Sequence, residues 1–229
     1  MENQFTRTEL LLGPEAMERL SRSRVIVFGV GGVGGYVVEV LARSGVGTLA
    51  LVDNDRVAPS NLNRQIIALH STLGRLKVDV LEERIHDINP RCEVRKFPMF
   101  YLPENADAIR LEEYDYVVDC IDTVKAKLHL VRRCHQLQKP FICSMGAANK
   151  LDPTAFRVSD ISKTANDPLA RVLRKTLRRE GIEHFKVVYS EELPVRTVAD
   201  TLPSCAFVPA AAGLVVGGEV VKDLAKPYL

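Results

Sequence analysis

Residues 24–53 read RVIVFGVGGVGGYVVEVLARSGVGTLALVD. RVIVF (24–28) is a short β-branched run that stops at glycines, the pattern of a buried strand. Residues 36–44 have helical spacing, and Gly45-Val46-Gly47 ends that helix. TLALV (48–52) is a second apolar strand, followed by Asp53. Strand, glycine turn, helix and strand make a βαβ unit. In its turn, Gly29, Gly31, Gly32 and Gly34 let the backbone approach a phosphate, and the helix N-terminus adds free N–H groups with partial positive charge. Asp53 lies 24 residues after Gly29, where a carboxylate accepts hydrogen bonds from ribose hydroxyls. The unit predicts a bound nucleotide. It does not separate NAD from ATP.

Outward from this unit, strands and helices alternate. Helical spacing over 73–88 stops before Asn89-Pro90. Residues 93–97, 116–120 and 141–145 read as strands, and 103–111 and 124–137 as helices. The alternation predicts an α/β fold with a doubly wound, mostly parallel, Rossmann-like sheet. Beyond Met145 the pattern changes. Residues 156–160 form a further strand, and Asp167-Pro168 starts a helix running to about Glu180. Residues 190–204 read as a loop, and 206–224 as a small-residue helix. The expectation is one unit over 1–229: a nucleotide-binding core at 20–150, with a C-terminal extension, 151–229, packed on it.

The 229 residues are 46% hydrophobic and 26% charged, with a net charge of +2. That composition supports a core and excludes a disordered chain. The five cysteines are odd in number and lack C-x-x-C spacing, which argues against a disulfide framework and a zinc site of ordinary spacing. The five histidines form no ligand pattern. MENQFTRTEL carries charge where a signal peptide is apolar, and Pro209 interrupts the longest apolar run. A cytoplasmic protein without a membrane partner is expected.

The loop DNDRVAPSNLNRQ (53–65) decides more about the ligand. Asp55 follows the ribose carboxylate, and Asn61, Asn63, Arg64 and Gln65 form a polar cluster. Arg64 can fork onto phosphate oxygens, and Lys77 adds a point charge. A triphosphate calls for such cations more than a dinucleotide does. Asp122, in CIDTVKAK, follows the strand YVVDC at the carboxyl edge of the sheet. There it can hold Mg²⁺ or cap the following helix. Asp119 reads as structural. Cys205, in LPSCAFV, sits at a helix start that can activate a thiol, or it is a small packed residue. The other four cysteines read as core. Residues 163–186 carry seven Lys or Arg against three acids. Arg171, Arg174, Lys175 and Arg178 share one helical face, suited to RNA phosphates or simply to solvent.

GVGGVG, the strand ending at Asp53, SNLNRQ, Lys77 and Asp122 together resemble the ThiF/MoeB/HesA superfamily, the adenylating enzymes related to ubiquitin-activating enzymes. The resemblance implies ATP held through Gly32, Asp53, Asn61, Asn63, Arg64 and Lys77, with Asp122 on Mg²⁺. FTRTELLLG (5–13) resembles that family's N-terminal helix, which implies a homodimer with Arg7 reaching the neighbouring subunit's ATP site. SMGAANKLDPTAF and VSDISKTANDPLARVLRKTLRREGI resemble one branch, the tRNA threonylcarbamoyladenosine dehydratases. That implies ATP-dependent cyclisation on a tRNA adenosine beside the anticodon, with the anticodon loop as partner. Two alternatives stay open. One is activation of a ubiquitin-like sulfur-carrier protein, with Cys205 as acceptor. The other is a nucleotide sensor without turnover, or an NAD-binding protein.

Overall fold

A computed structural model describes residues 2–195 and 202–228. The chain enters through two short helices, α1 (Thr6–Leu12) and α2 (Pro14–Arg22). Gly13, at φ 86°, breaks between them, and Pro14 opens the second, a position where its missing N–H costs nothing. The expected unit follows as β1 (Arg24–Phe28), α3 (Gly34–Arg43) and β2 (Thr48–Val52). Then come α4 (Lys77–Ile88), β3 (Glu93–Phe97), β4 (Tyr116–Asp119), α5 (Val124–Gln136) and β5 (Phe141–Ser144). β6 (Phe156–Asp160), α6 (Pro168–Arg178), β7 (Lys186–Ser190) and α7 (Phe207–Ala225) complete the described elements.

The sheet runs β3-β2-β1-β4-β5-β7-β6, and every pairing is parallel except β6 with β7. The doubly wound, mostly parallel expectation holds. TLALV in β2 is buried at every position, as a strand covered on both faces must be. One core lies between the sheet and α3, α4 and α7, around Val27, Leu41, Leu51 and Val216. The other lies under α5 and α6, around Phe28, Leu130, Cys143 and Leu173. α7 presses closely on α3: a Cβ at Gly213 would sit 2.4 Å from the Val33 carbonyl oxygen.

Several expectations are corrected. The helix read from residue 73 begins at Lys77, because Gly74 adopts φ 80° and Leu76 is extended, bridging to Arg56. The helix read over 103–111 is two 3-10 turns, Pro103–Ala108 and Leu111–Glu113. The C-terminal third does more than pack on the sheet, since β6 and β7 extend it. KVVYS (186–190) escapes the sequence reading altogether. The loop read over 190–204 falls partly outside the described residues.

Candidate active site

The strand order reverses between β1 and β4, and in open α/β sheets such a switch point opens a crevice at the carboxyl ends. Here the turns after β1 and β4 touch. Gly29 adopts φ 79°, and a Cβ on it would lie 2.9 Å from the Cys120 carbonyl oxygen. A Cβ on Gly34 would fall 1.8 Å from the Gly29 oxygen. Asp53 ties this turn to β2: its Oδ2 accepts the Val30 amide at 2.9 Å and its Oδ1 the Asp55 amide at 2.8 Å. Each oxygen keeps lone pairs for a further donor.

A cavity of about 660 Å³ occupies the crevice. Gly29, Gly31, Gly32, Asp53, Asp55 and Asn61 line it, as do Arg64, Gln65, Lys77 and Asp122. Two expected residues do not. Gly34 lies beneath the turn, where only glycine fits. Asn63 bridges instead, donating to the Ser204 carbonyl at 3.0 Å and accepting from Arg64 at 2.8 Å. Arg64 also donates to the Ser60 carbonyl at 2.8 Å, and its stem lies against Gly32. Asn61 Oδ1 accepts the Ala58 amide at 3.0 Å, fixing the loop that carries the cations. Lys77 is 4% exposed and donates to Asp55 at 2.7 Å. The Gln65 Oε1 atom is buried without a hydrogen-bond partner among the described residues.

Asp122 does not cap α5. The N-cap residue is Thr123, and the contact of the Asp122 carboxylate is with the Thr123 hydroxyl, at 3.4 Å. It stays exposed at the cavity wall. Asp119 is fully buried and structural, paired with Lys127 at 3.1 Å, while its Oδ1 accepts the Ile121 amide at 3.0 Å. Burial opposes the Lys127 charge, yet Asp119 beside it holds the ammonium pKa above its ordinary value. Thus the turn carrying Asp122 rests on a buried ion pair.

All five cysteines are free thiols. Cys120 is not simply core, for it lines the cavity, where burial pushes its pKa up to about 12. Cys205 lies next to the cavity-lining Ser204, its Sγ 3.9 Å from the Lys150 carbonyl. Arg7 is exposed on α1 and does not line the cavity of its own chain. On α6, Arg171, Lys175 and Arg178 are exposed. Arg174 is not part of an open basic face. It folds back onto the 161–164 turn, donating to the Thr164 carbonyl at 2.9 Å and to the Thr164 hydroxyl.

The ThiF family matches residues 5–227. The chain belongs to that family. It is 48% identical to the tRNA threonylcarbamoyladenosine dehydratase of Bacillus subtilis, over 99% of this chain and 96% of that one. The crystal structure of the Escherichia coli tRNA N6-threonylcarbamoyladenosine dehydratase TcdA in complex with ATP matches with a TM-score of 0.92 at 34% identity, covering 98% of this chain and 94% of that one. The sulfur carrier protein adenylyltransferase of Thermus thermophilus is 31% identical over 93% of this chain and 73% of its own length.

Part of the cavity in this ThiF-family chain is lined by residues to which the sequence reading gives no site role. Ser144 ends β5, Asn149 and Lys150 follow it, and Asp167, singled out only as a helix cap, opens α6. The available signal was positional: SMGAANK follows a parallel strand, and carboxyl ends of such strands bear the ligands. Tyr101 also lines the cavity, its hydroxyl 3.0 Å from His129 Nδ1.

Proposed function

We propose that this ThiF-family protein is an ATP-dependent tRNA threonylcarbamoyladenosine dehydratase, working as a single adenylating unit. The observation that carries this reading is 48% identity to the Bacillus subtilis dehydratase over nearly the whole of both chains. A carboxylate is a poor electrophile because its leaving group is oxide. AMP transfer from ATP converts the threonyl carboxylate to a mixed anhydride and releases pyrophosphate. The carbamoyl nitrogen or oxygen then attacks intramolecularly, and AMP leaves as the five-membered ring closes.

In this reading Asp53 accepts the ribose hydroxyls, and the amides of the 29–34 turn face the phosphates. Arg64 and Lys77 stabilise charge developing on the phosphoryl group and pyrophosphate. Asp122 suits Mg²⁺, which takes one or two carboxylates and completes its shell with water and phosphate oxygens. The carboxylate is exposed at the cavity wall with no basic partner among the described residues. Bound there, the metal supplies charge neutralisation. No protein nucleophile is needed, and the Cys120 thiol, raised to about 12, stays protonated at neutral pH.

A homodimer accompanies this reading. Leu10 and Leu11 on α1 are 83% and 81% exposed, an apolar pair that a second copy would cover while bringing Arg7 to its neighbour's cavity. Arg171, Lys175 and Arg178 face the tRNA phosphates. A tRNA substrate sets the work in the cytoplasm, and no helix among the described residues is long and apolar enough to cross a membrane.

The test is to mix purified protein with Mg-ATP and tRNA either carrying or lacking threonylcarbamoyladenosine, then digest the tRNA for mass analysis. AMP release with loss of one water from the modified nucleoside, only with the modified tRNA, is expected. ATP binding without AMP or mass change overturns the reading. Cys205→Ser should retain the activity; its loss would contradict a mechanism without a protein nucleophile.

A further inference from the structure

The same cavity is also lined by residues outside the nucleotide-facing set: the 144–150 segment, the start of α6, and the loop residues Pro194 and Ser204. Three polar residues stand out among them. Asp167 is 3% exposed. Its Oδ1 caps α6 by accepting the Ala170 amide at 2.8 Å. Its Oδ2 is buried without a hydrogen-bond partner among the described residues, beside Gly146, whose Cβ would lie 3.7 Å away. The Oδ1 of Asn149 is also buried and unpartnered, on a residue held at φ 60°. Lys150 is 5% exposed and donates to the Glu192 carbonyl at 2.6 Å. Burial lowers its pKa, while the charges of Asp167 and Glu192 oppose that shift.

A buried carboxylate oxygen without a donor costs several kcal/mol, and buried polar atoms in folded proteins are almost always paired. Helix capping explains one oxygen of Asp167 and not the other. A serine or asparagine would cap as well. With no donor among the described residues, the second oxygen points to one that a ligand supplies. Asn166, at φ 59°, precedes it, so the carboxylate is set by a residue in a sparsely populated backbone region, as is common at functional sites.

We infer that Asp167 is the base that takes the proton lost on ring closure, and that Lys150 holds the reacting carboxyl group's oxygen. This inference rests on the dehydratase reading. In that reaction the new bond joins the carbamoyl nitrogen or oxygen to the carboxyl carbon. The bond from that carbon to the AMP oxygen breaks, and AMP leaves with the electron pair. Whichever carbamoyl atom attacks, one N–H proton must depart, and adenylation itself does not remove it. Asp167 Oδ2, without a partner among the described residues, is the acceptor assigned to it. The Lys150 ammonium has three protons and places one on Glu192, leaving others for the oxygen that becomes negative in the tetrahedral intermediate.

Asp167→Asn and Asp167→Ser both keep a cap acceptor and remove the basic oxygen. Each is compared with the wild-type protein in two assays on modified tRNA: ATP–pyrophosphate exchange, which reads adenylation, and formation of the dehydrated nucleoside. Exchange within about threefold of wild type, with ring closure slowed about 10²-fold or more, is expected, because a positioned base contributes that much. AMP should then exceed dehydrated nucleoside, since water takes the anhydride instead. Ring closure near the wild-type rate in a folded variant overturns the assignment. So does an equal fall in exchange and closure. If wild-type protein itself gives exchange but never a dehydrated nucleoside, the dehydratase reading fails and this inference falls with it. If the wild type succeeds and the Asp167 variants match it, only this inference fails.

Discussion

The ammonium of Lys77 lies 2.7 Å from Asp55 Oδ2, and the main-chain amide of Lys77 donates to the Asp55 carbonyl at 3.0 Å. The partners are unequal: the lysine side chain is 5% exposed and the aspartate side chain 59%. A buried cation with one exposed partner keeps two protons for other acceptors at the cavity wall. Lys77→Met should therefore lower ATP- and tRNA-dependent AMP formation by about 10²–10³, the usual cost of losing one oriented donor to a developing charge. Turnover within threefold of wild type would remove Lys77 from the phosphate site.

Gly34 tests whether the turn is shaped by close approach. Gly34→Ala puts a carbon 1.8 Å from the Gly29 oxygen, so the backbone must shift. Loss of ATP binding by calorimetry and a lower melting temperature are expected. Gly218→Ala is the control. Its Cβ meets nothing within 4 Å on α7, and it should stabilise by about 0.5–1 kcal/mol through reduced chain entropy. Equal behaviour of the two variants would contradict the steric account.

Glu39 on α3 makes the stability depend on acid. It is 8% exposed and accepts Arg84 at 2.6 and 3.0 Å and Arg43 at 2.7 Å. Burial raises its pKa, but the two guanidinium partners outweigh burial and leave it below the usual carboxylate value. A carboxyl depressed in the folded state stabilises fully above its unfolded pKa, near 4.3, and that contribution disappears as pH falls through the folded value. Glu39→Gln should cost about 2 kcal/mol at pH 7, and much less at an acid pH below the folded value. Urea denaturation at both pH values measures the difference, and a pH-independent loss would contradict it.

Under the proposed reading, the basic residues of α6 divide into two roles. Arg171→Glu with Lys175→Glu should weaken tRNA binding and flatten its salt dependence, leaving ATP affinity unchanged. Arg174→Ala should act on folding instead, since its guanidinium satisfies the 161–164 turn. If Arg174→Ala weakened tRNA binding as much as the double variant without lowering the melting temperature, this division would be wrong.

The nucleotide half was legible because its signals are local. β1, β2, β3 and β6 have the expected limits, set by short apolar or β-prone runs with clear flanking breaks. The glycine turn, Asp53, Arg64 and Lys77 fall within one segment, and sequence order alone groups them. Asp122 was placed correctly along the chain, but not its failure to cap. KVVYS was missed because it follows an irregular stretch after Gly181 and gains its identity from pairing with β5 and β6. The grouping of Asn149, Lys150 and Asp167 at one cavity was illegible for the same reason. Its members come from separate loops, and only strand order brings those loops to one end of the sheet.

The placement of β7 between β5 and β6 governs the order in which the molecule is finished during synthesis. Until Lys186–Ser190 leaves the ribosome, β5 presents an open hydrogen-bonding rim, the kind of edge that recruits other chains. The close seat of Gly213 on Val33 adds a second late event, because α7 is made long after the turn it braces. A nascent chain holding the whole glycine turn therefore still lacks the helix that seats against it. A ribosome stalled before residue 207 displays the complete fingerprint on an unbraced turn.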